Sequence, residues 1–296
     1  MLDRSRFSLF TKRIGHITPS NVVAHSPRAP IAASATALVL AALVAGCGGG
    51  QPSGSSPSFA KSQAGPTPRP VTAGELAQLP QATTYSNLRG AATDSQPFAA
   101  GSGLVVHPRD PWVVYASPGG PPVAVLPATE MGSPTWVPVV QTQPGWDMVL
   151  LPSRPNRSIG WVATGNGATL ETAHTSYVVR VNTTTRQLTL VKDGTSVGTW
   201  PVGVGTPGTP TPTGRTFILA SLTPAHPTYS WLILPTGAHS NSLETFGGGP
   251  GTVGLHTWPD SSVFGHAVSH GCVRIPDAGL KMLSHVPLGS LVLITS

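Results

Sequence analysis

The stretch that decides the fold runs Gly254-Leu-His256-Thr-Trp-Pro-Asp-Ser-Ser-Val-Phe-Gly-His-Ala-Val-Ser269-His270-Gly271-Cys272-Val-Arg274-Ile275. A thiol is only a few per cent ionised near neutral pH, so an enzyme that uses one as a nucleophile places an imidazole beside it. Glycine next to the cysteine lets the backbone turn tightly and aim N–H groups at a developing oxyanion. The spacing therefore predicts a cysteine nucleophile served by a histidine from elsewhere in the fold.

The same stretch also fits a zinc site. His256, His266, His270 and Cys272 are all side chains that bind zinc in proteins. These residue types alone leave both interpretations open and favour the enzyme about two to one.

The chain begins with a basic leader and an uncharged apolar run. Residues 1–30 carry five basic side chains and one acid, and residues 31–46 carry no charge. The run is shorter than the ~18–20 residues that span a bilayer, so residues 1–46 are predicted to be a secretory signal peptide. Val44-Ala-Gly-Cys47 resembles the lipobox of bacterial lipoproteins, which implies that Cys47 is lipidated; an ordinary signal peptide is the alternative. We expect an exported protein anchored to the outer face of the cytoplasmic membrane.

The net charge and the number of cysteines limit the functions that the sequence predicts. The chain has 17 Lys and Arg and 11 Asp and Glu, of which 5 and 1 lie in the leader, so the remainder has a net charge of +2. Nucleic-acid binding is therefore not predicted. If Cys47 is lipidated, Cys272 has no disulfide partner. An unpaired cysteine in an exported protein indicates a reactive thiol, whereas a buried inert cysteine is the alternative.

Residues 47–102 and 103–168 are predicted to be a linker and a first folded unit. Gly, Ser, Pro, Gln and Thr dominate the start of the linker, which indicates a flexible stalk. Short β-rich runs broken by Pro and Gly then predict a small barrel or sandwich. The segment from Trp136 to Val162 resembles bacterial SH3-type domains found beside cell-wall enzymes. Its tryptophans are interpreted as core residues rather than as ligand platforms.

Residues 175–296 are predicted to be a second, nearly all-β unit. Tyr177–Asn182 and Gln187–Lys192 alternate as strands, and Asp193-Gly194 marks a tight turn. Residues 223–250 hold little predicted regular structure except at Ser230–Leu234 and are interpreted as a lid. Asp277 is expected to cap a short helix, and residues 291–294 form the closing strand.

Several motifs in this unit together resemble the L,D-transpeptidases with a YkuD-type catalytic domain. They are the Thr211-Pro-Thr-Gly214 turn, His256, Ser269-His-Gly-Cys272, Arg274 and the C-terminal strand. The resemblance covers about Tyr177 to Thr295 and implies a mainly β fold, with a YkuD-type β-sandwich after the SH3-like barrel. Many members have Gly directly after the first histidine, where this chain has Thr257; we expect that difference to alter the pocket wall.

The resemblance implies a role for each site residue. Cys272 is the nucleophile, kept as a thiolate by His256, which the backbone carbonyl of Thr257 orients. Backbone N–H groups of His270, Gly271 and Cys272 form the oxyanion hole. Substrate-binding roles fall to Arg274, Ser269 and four residues of the lid, namely Tyr229, Trp231, His239 and Phe246.

The resemblance also implies the substrate. Peptidoglycan stem peptides are donor and acceptor: the terminal D-alanine of a tetrapeptide leaves, a cysteine thioester forms, and a second stem's amine attacks to give a 3→3 cross-link. No cofactor or metal is required. The alternatives are an L,D-carboxypeptidase, in which water attacks the thioester, and a non-catalytic peptidoglycan-binding lipoprotein.

Overall fold

The computed structural model describes residues 65–165 and 170–296. The predicted signal peptide, Cys47 and the start of the predicted linker lie outside these residues. The described helices are α1 (Ala73–Gln78) and α2 (Asp277–Leu283), with one 3-10 turn at Ser261–Val263. None of the helices in the described part of the chain is long and apolar enough to cross a membrane.

The described residues also contain twenty-two short strands. The first ten are β1 (Ala92–Thr93), β2 (Leu104–Pro108), β3 (Trp112–Tyr115), β4 (Pro122–Leu126), β5 (Thr129–Glu130), β6 (Ser133–Pro134), β7 (Val137–Gln143), β8 (Trp146–Leu150), β9 (Ser158–Ala163) and β10 (Leu170–His174). The others are β11 (Tyr177–Asn182), β12 (Gln187–Lys192), β13 (Thr195–Pro201), β14 (Val204–Gly205), β15 (Gly214–Phe217), β16 (Ile233–His239), β17 (Thr245–Phe246), β18 (Gly249–Pro250), β19 (Thr252–His256), β20 (Ala267–Ser269), β21 (Val273–Arg274) and β22 (Leu291–Thr295).

The first sheet runs β10-β2-β7-β8-β9-β3-β4, and β1 pairs with β9. Alternating apolar residues such as Val114, Val137 and Val149 point into its core. The sheet is an open path rather than the closed SH3-like barrel predicted for residues 103–168, and β10 extends it to His174. Its tryptophans Trp146 and Trp161 are buried, and Tyr115 packs edge-on against Trp146.

Part of the range predicted as a linker is folded. Helix α1 begins with a capping box, in which Thr72 and Glu75 bind each other's backbone N–H groups. Leu88 is buried in the core of the first sheet. The carbonyl oxygen of Pro66 accepts a hydrogen bond from the Trp146 indole N–H at 2.7 Å. Residues from 65 onward therefore contribute to the folded structure.

The second sheet has the order β13-β12-β11-β22-β15. Strands β11 and β12 pair antiparallel, and β12 and β13 are joined by a turn in which Asp193 and Gly194 have φ of 49° and 76°. These positive values are what Asp-Gly permits. Strand β22 pairs in parallel with β11 and antiparallel with β15, so the last strand of the chain lies between two earlier ones.

A third sheet, β16-β19-β21, carries the stretch that opened the sequence analysis. It packs with the second sheet and α2 around one apolar core that includes Val179, Leu234, Leu255 and Leu280. In this arrangement β19 and β21 are parallel neighbours, which brings the two ends of the 254–275 stretch together.

The first and second sheets share a core and a buried ion pair. Phe217 and Leu291 pack in the same apolar cluster as the first sheet's side chains. Arg215 of β15 donates to both carboxylate oxygens of Asp94, at 2.6 and 2.8 Å, with side chains only 5% and 3% exposed. The described residues belong to one compact unit, Ala60–Ser296.

The predicted mainly β fold class is confirmed, and two local expectations are wrong. The range 223–250, predicted to hold little regular structure except at Ser230–Leu234, contains the seven-residue strand β16, which begins in that segment and runs on to His239. Asp277 does not cap α2, because Pro276 occupies the cap position and Asp277 is the first helical residue. Its carboxylate instead accepts the Trp231 indole N–H at 2.7 Å and pairs with Lys281.

Candidate active site

Strand register brings His256 and Cys272 to one face of the third sheet. Leu255 pairs with Val273 across β19 and β21, so Gly254 lies opposite Cys272. Side chains of a strand alternate between faces, and His256 therefore shares a face with Gly254. The side chains of His256 and Cys272 line the same cavity of about 480 Å³.

The His256 ring is fixed by its own loop. Its Nδ1 lies 2.7 Å from the carbonyl oxygen of Thr257, and the Thr257 N–H donates to Ser230 Oγ at 3.0 Å. Because a carbonyl only accepts, Nδ1 carries the proton and Nε2 is left as the acceptor. The Tyr229 ring packs edge-on against the imidazole with centroids 4.9 Å apart. The ring makes no hydrogen bond to Cys272 Sγ in this structure, as is common before substrate binds.

A network of short hydrogen bonds shapes the cysteine loop. Ser269 Oγ donates to the carbonyl oxygen of Cys272 at 2.5 Å and accepts from the Gly271 N–H at 3.1 Å. Thr211 Oγ1 donates to the Gly271 carbonyl oxygen at 2.9 Å and accepts the Gly205 N–H. Gly271 has a φ of 119°, a conformation that only glycine adopts readily. The Thr211–Gly214 turn and Ser269 thus hold the cysteine loop from two sides.

Backbone N–H groups surround the sulfur. The Gly254 N–H donates to Cys272 Sγ at 3.4 Å. Within residues 65–165 and 170–296, the N–H groups of His270 and Cys272 have no protein acceptor, whereas that of Gly271 is taken by Ser269. Of the three N–H groups predicted to form the oxyanion hole, two are therefore open to a ligand.

Burial is the main influence on the charge states of Cys272 and His256. Burial raises the pKa of the Cys272 thiol, while the Gly254 N–H and the Arg274 charge act in the opposite direction. Burial lowers the pKa of His256; its hydrogen bond with Thr257 opposes this, and the Arg274 charge adds to it. The raised pKa of the thiol and the lowered pKa of the imidazole both favour a neutral pair over an ion pair. The predicted resting thiolate is thus not what this environment favours, because the site is desolvated.

Arg274 lies over the indole of Trp258, with its guanidinium carbon 3.7 Å from the ring centroid. This is the geometry of a cation–π interaction. Burial lowers the pKa of Arg274, and its Nε is buried without a hydrogen-bond partner in the described residues. Arg274 is therefore a cation held in the cavity wall by stacking, with a donor still to be satisfied.

Residues 176–294 match the family model of the YkuD-type L,D-transpeptidase catalytic domain. These residues form a YkuD domain. The sequence resemblance to this family is confirmed; the SH3-like first unit and the lipoprotein form stay predictions. No curated protein matches the chain.

Solved structures with some likeness to the chain include three L,D-transpeptidases. One from Mycobacterium smegmatis has 17% identity and a TM-score of 0.34, covering 54% of this chain and 99% of that one. LdtMt1 in complex with imipenem has 17% identity and a TM-score of 0.36, with 54% and 90% covered. One from Mycobacterium tuberculosis H37Rv has 13% identity and a TM-score of 0.37, with 64% and 95% covered. Likeness of this degree says nothing about the active site of the chain.

Most of the predicted substrate-binding residues line the cavity of the YkuD domain. Tyr229, Phe246, Ser269 and Arg274 line it together with His256, His270 and Cys272. Phe246 is 55% exposed, and its ring lies 5.6 Å from that of His270 at the cavity mouth. Ser269 is buried and held by backbone groups, so its side chain shapes the loop.

Three residues predicted to contact substrate or to form the pocket wall do not line the cavity. Trp231 is turned away, because its indole N–H binds Asp277 and its ring packs on the core. His239 is 2% exposed, and its ring binds the backbone at Ser240 and Gly251. Thr257, expected to alter the pocket wall, is absent from the lining and contributes through its backbone.

Sequence reasoning missed several parts of the site. Trp258 follows His256 by two residues, and an aromatic so close to a predicted catalytic histidine was a usable signal. The Gly254 N–H and Ser230 hydroxyl have no sequence signature, since their roles depend on strand register. Met131, in the turn between β5 and β6, lines the cavity from outside the YkuD domain.

The zinc alternative finds no support in the described geometry. Across residues 65–165 and 170–296, no three His, Cys, Asp or Glu side chains come together as a metal-binding set. His266 is exposed and does not line the cavity.

Proposed function

We propose that this chain is a cysteine-dependent L,D-transpeptidase that forms 3→3 cross-links between peptidoglycan stem peptides. The observation that carries the proposal is the fixed orientation of His256. With Nδ1–H held by the Thr257 carbonyl at 2.7 Å, Nε2 is the free base in the cavity that also holds the only described cysteine, Cys272. The family match of residues 176–294 supports the same activity.

In the donor half-reaction, His256 Nε2 accepts the thiol proton as Cys272 Sγ attacks the carbonyl carbon preceding the terminal D-alanine. A neutral pair at rest suits this step, since the proton moves only when the nucleophile attacks. The open N–H groups of His270 and Cys272 stabilise the oxyanion. The C–N bond then breaks, the imidazolium returns its proton to the leaving amine, and a thioester remains on Sγ.

In the acceptor half-reaction, the side-chain amine of a second stem peptide attacks the thioester carbonyl. His256 takes a proton from that amine, the C–S bond breaks, and the sulfur leaves as a thiolate that is reprotonated. An amide joins the two stems. Both half-reactions share one thiol, so ping-pong kinetics are expected. No cofactor takes part in either step.

The side chains of the cavity wall suit a donor peptide that ends in a carboxylate. Apolar and aromatic side chains form most of the lining, and Arg274 is the one arginine among the residues that line it. Arg274 lines the cavity, and the planar guanidinium group of an arginine suits a carboxylate. A carbapenem presents a reactive carbonyl and a carboxylate in the same way, and we propose that it acylates Cys272.

Lipidation of Cys47 would place this chemistry at the outer face of the cytoplasmic membrane. That localisation is part of the proposal and rests on the leader and the lipobox-like Val44–Cys47.

Mass spectrometry of the purified protein tests the proposed function. With a disaccharide tetrapeptide, we expect a covalent adduct on Cys272 and, with a second stem, a 3→3 dimer. The adduct should be absent in Cys272→Ala and strongly slowed in His256→Ala. His266→Ala is the matched control, because that histidine is exposed and outside the cavity. Cross-linking by Cys272→Ala would overturn the proposal; tripeptide without dimer would assign a carboxypeptidase instead.

A further inference from the structure

Asn156 belongs to the loop between β8 and β9 of the first sheet, outside the residues that match the YkuD family. Its side-chain amide clamps the end of β16. Oδ1 accepts the His239 N–H at 2.8 Å, and Nδ2 donates to the His239 carbonyl oxygen at 2.7 Å. Nδ2 also donates to Asn241 Oδ1 at 2.9 Å. The side chain therefore binds the main chain of His239 as a neighbouring strand would.

His239 in turn supports the loop of residues 240–251, which we call the wall loop. The His239 ring contacts the backbone on both sides: Nδ1 lies 2.8 Å from the Ser240 carbonyl oxygen, and Nε2 lies 3.1 Å from the Gly251 nitrogen and 3.2 Å from the Glu244 carbonyl oxygen. The Ser240 N–H donates to the Gly251 carbonyl oxygen at 2.7 Å and closes the loop. The buried ring thus ties both ends of the wall loop to the residue that Asn156 holds.

The wall loop forms one side of the cavity that contains Cys272. Five of its residues line the cavity: Ser240, Leu243, Phe246, Pro250 and Gly251. A second contact from the first sheet reaches the same loop, where Arg154 forms an ion pair with Glu244. Glu244 is largely exposed, so this pair contributes little by itself. The amide of Asn156 is the stronger connection, since it makes three hydrogen bonds.

We propose that Asn156 is a positioning residue for the donor peptide: it fixes the wall loop and thereby sets how tightly the cavity binds its substrate. The inference rests on the proposed function for the identity of that substrate. It gives the first sheet a part in the reaction, because a side chain outside the YkuD domain determines the shape of the site. Asn156 does not touch the reacting atoms, so the thiol chemistry itself should not depend on it.

Asn156→Ala and Asn156→Asp test the inference. Alanine removes all three hydrogen bonds, and aspartate keeps only the acceptor for the His239 N–H. In single-turnover acylation by a disaccharide tetrapeptide, we expect the half-saturating concentration to rise roughly tenfold in both variants, with the maximal rate changed by less than about threefold. Alkylation of Cys272 by iodoacetamide should be unchanged. Hydrogen exchange should accelerate in residues 240–251 and not in β11 or β22.

Asn182→Ala is the matched control, since its Oδ1 accepts one backbone N–H, that of Thr185, away from the cavity. It should leave acylation and exchange of the wall loop unaltered. The inference is overturned if Asn156→Ala binds donor like the wild type, or if acylation, alkylation and stability all fall together. If the wild-type protein is not acylated, the proposed function fails, and exchange in residues 240–251 still decides whether Asn156 holds the wall loop.

Discussion

The guanidinium of Arg274 stacks on the indole of Trp258 at 3.7 Å and does so inside the cavity that holds the thiol. Stacking keeps the cation from turning to solvent, so its charge acts on both members of the catalytic pair. That charge lowers the pKa of Cys272 and also lowers the pKa of His256. Arg274 thus helps the sulfur ionise while it keeps the imidazole unprotonated.

Arg274→Gln should therefore make the thiol harder to ionise. Without the charge, the pKa of Cys272 rises further, and the pH profile of iodoacetamide alkylation moves to higher pH. Arg180→Gln removes an exposed charge from β11 and should leave the profile in place. Superimposable profiles for wild type and Arg274→Gln would show that the charge does not reach the sulfur.

Gly271→Ala should impair acylation through the backbone alone. A Cβ at Gly271 would meet only ordinary contacts, the nearest being the Pro210 carbonyl oxygen at 3.7 Å. Its φ of 119° is the obstacle, and holding alanine there costs about 1–3 kcal/mol. We expect the loop to relax and acylation to fall at least tenfold.

Gly208→Ala provides the comparison for that variant, because Gly208 has no positive φ and its nearest neighbour is 4.0 Å away. Acylation by Gly208→Ala should match the wild type. Equal rates for Gly271→Ala and Gly208→Ala would mean that the backbone angle at Gly271 is unimportant.

Glu130 should make the folded state less stable as pH rises. Burial raises the pKa of this carboxyl to about 7, and the hydrogen bond from the Thr84 N–H only partly offsets that. The folded protein then holds a proton that the unfolded chain releases near pH 4.5, so the free energy of unfolding declines between about pH 4.5 and 7 by up to roughly 3 kcal/mol.

Glu130→Gln is a neutral isostere that keeps an acceptor for the Thr84 N–H. Urea unfolding at a series of pH values should show a flatter profile for this variant and higher stability than the wild type above pH 7. A wild-type slope that persists unchanged in Glu130→Gln would assign the pH dependence to other groups.

The buried ion pair between Asp94 and Arg215 should be the most costly polar contact to break. Asp94→Ala leaves a guanidinium that is 5% exposed without its partner, and such losses cost about 3–5 kcal/mol. Glu171→Gln removes the acid of an exposed pair with Arg109 and should cost less than about 1 kcal/mol. Chemical denaturation measures both, and similar losses for the two variants would contradict the role assigned to burial.

Local sequence patterns predicted several strands and the family of the second unit. Tyr177–Asn182 and Gln187–Lys192 form strands over the predicted residues, because alternation has a period that only an extended chain satisfies. His256 and Cys272 line one cavity, and the family to which the surrounding motifs point is confirmed for residues 176–294. Their catalytic roles stay predictions.

Contacts between distant parts of the chain could not be predicted in this way. Trp231 and His239 were assigned to substrate because they are aromatic residues of a long segment, yet each is bound to a partner that only the fold brings near. The same applies to Met131, which lines the cavity from the β5–β6 turn, and to Asn156, which binds the main chain of His239 from the loop between β8 and β9. Propensity and spacing describe neighbours along the chain, whereas these contacts depend on how sheets pack.

The position of β22 has a consequence for how the molecule assembles. This strand follows β11 and β15 in the sequence, and both of them depend on it for their hydrogen bonds. Until it arrives, each of them exposes an unsatisfied edge, and such edges favour pairing with other chains. Completion of the sheet through long-range contacts is also intrinsically slow. A chain in which β22 has not yet paired therefore passes through a stage in which β11 and β15 can associate with other chains.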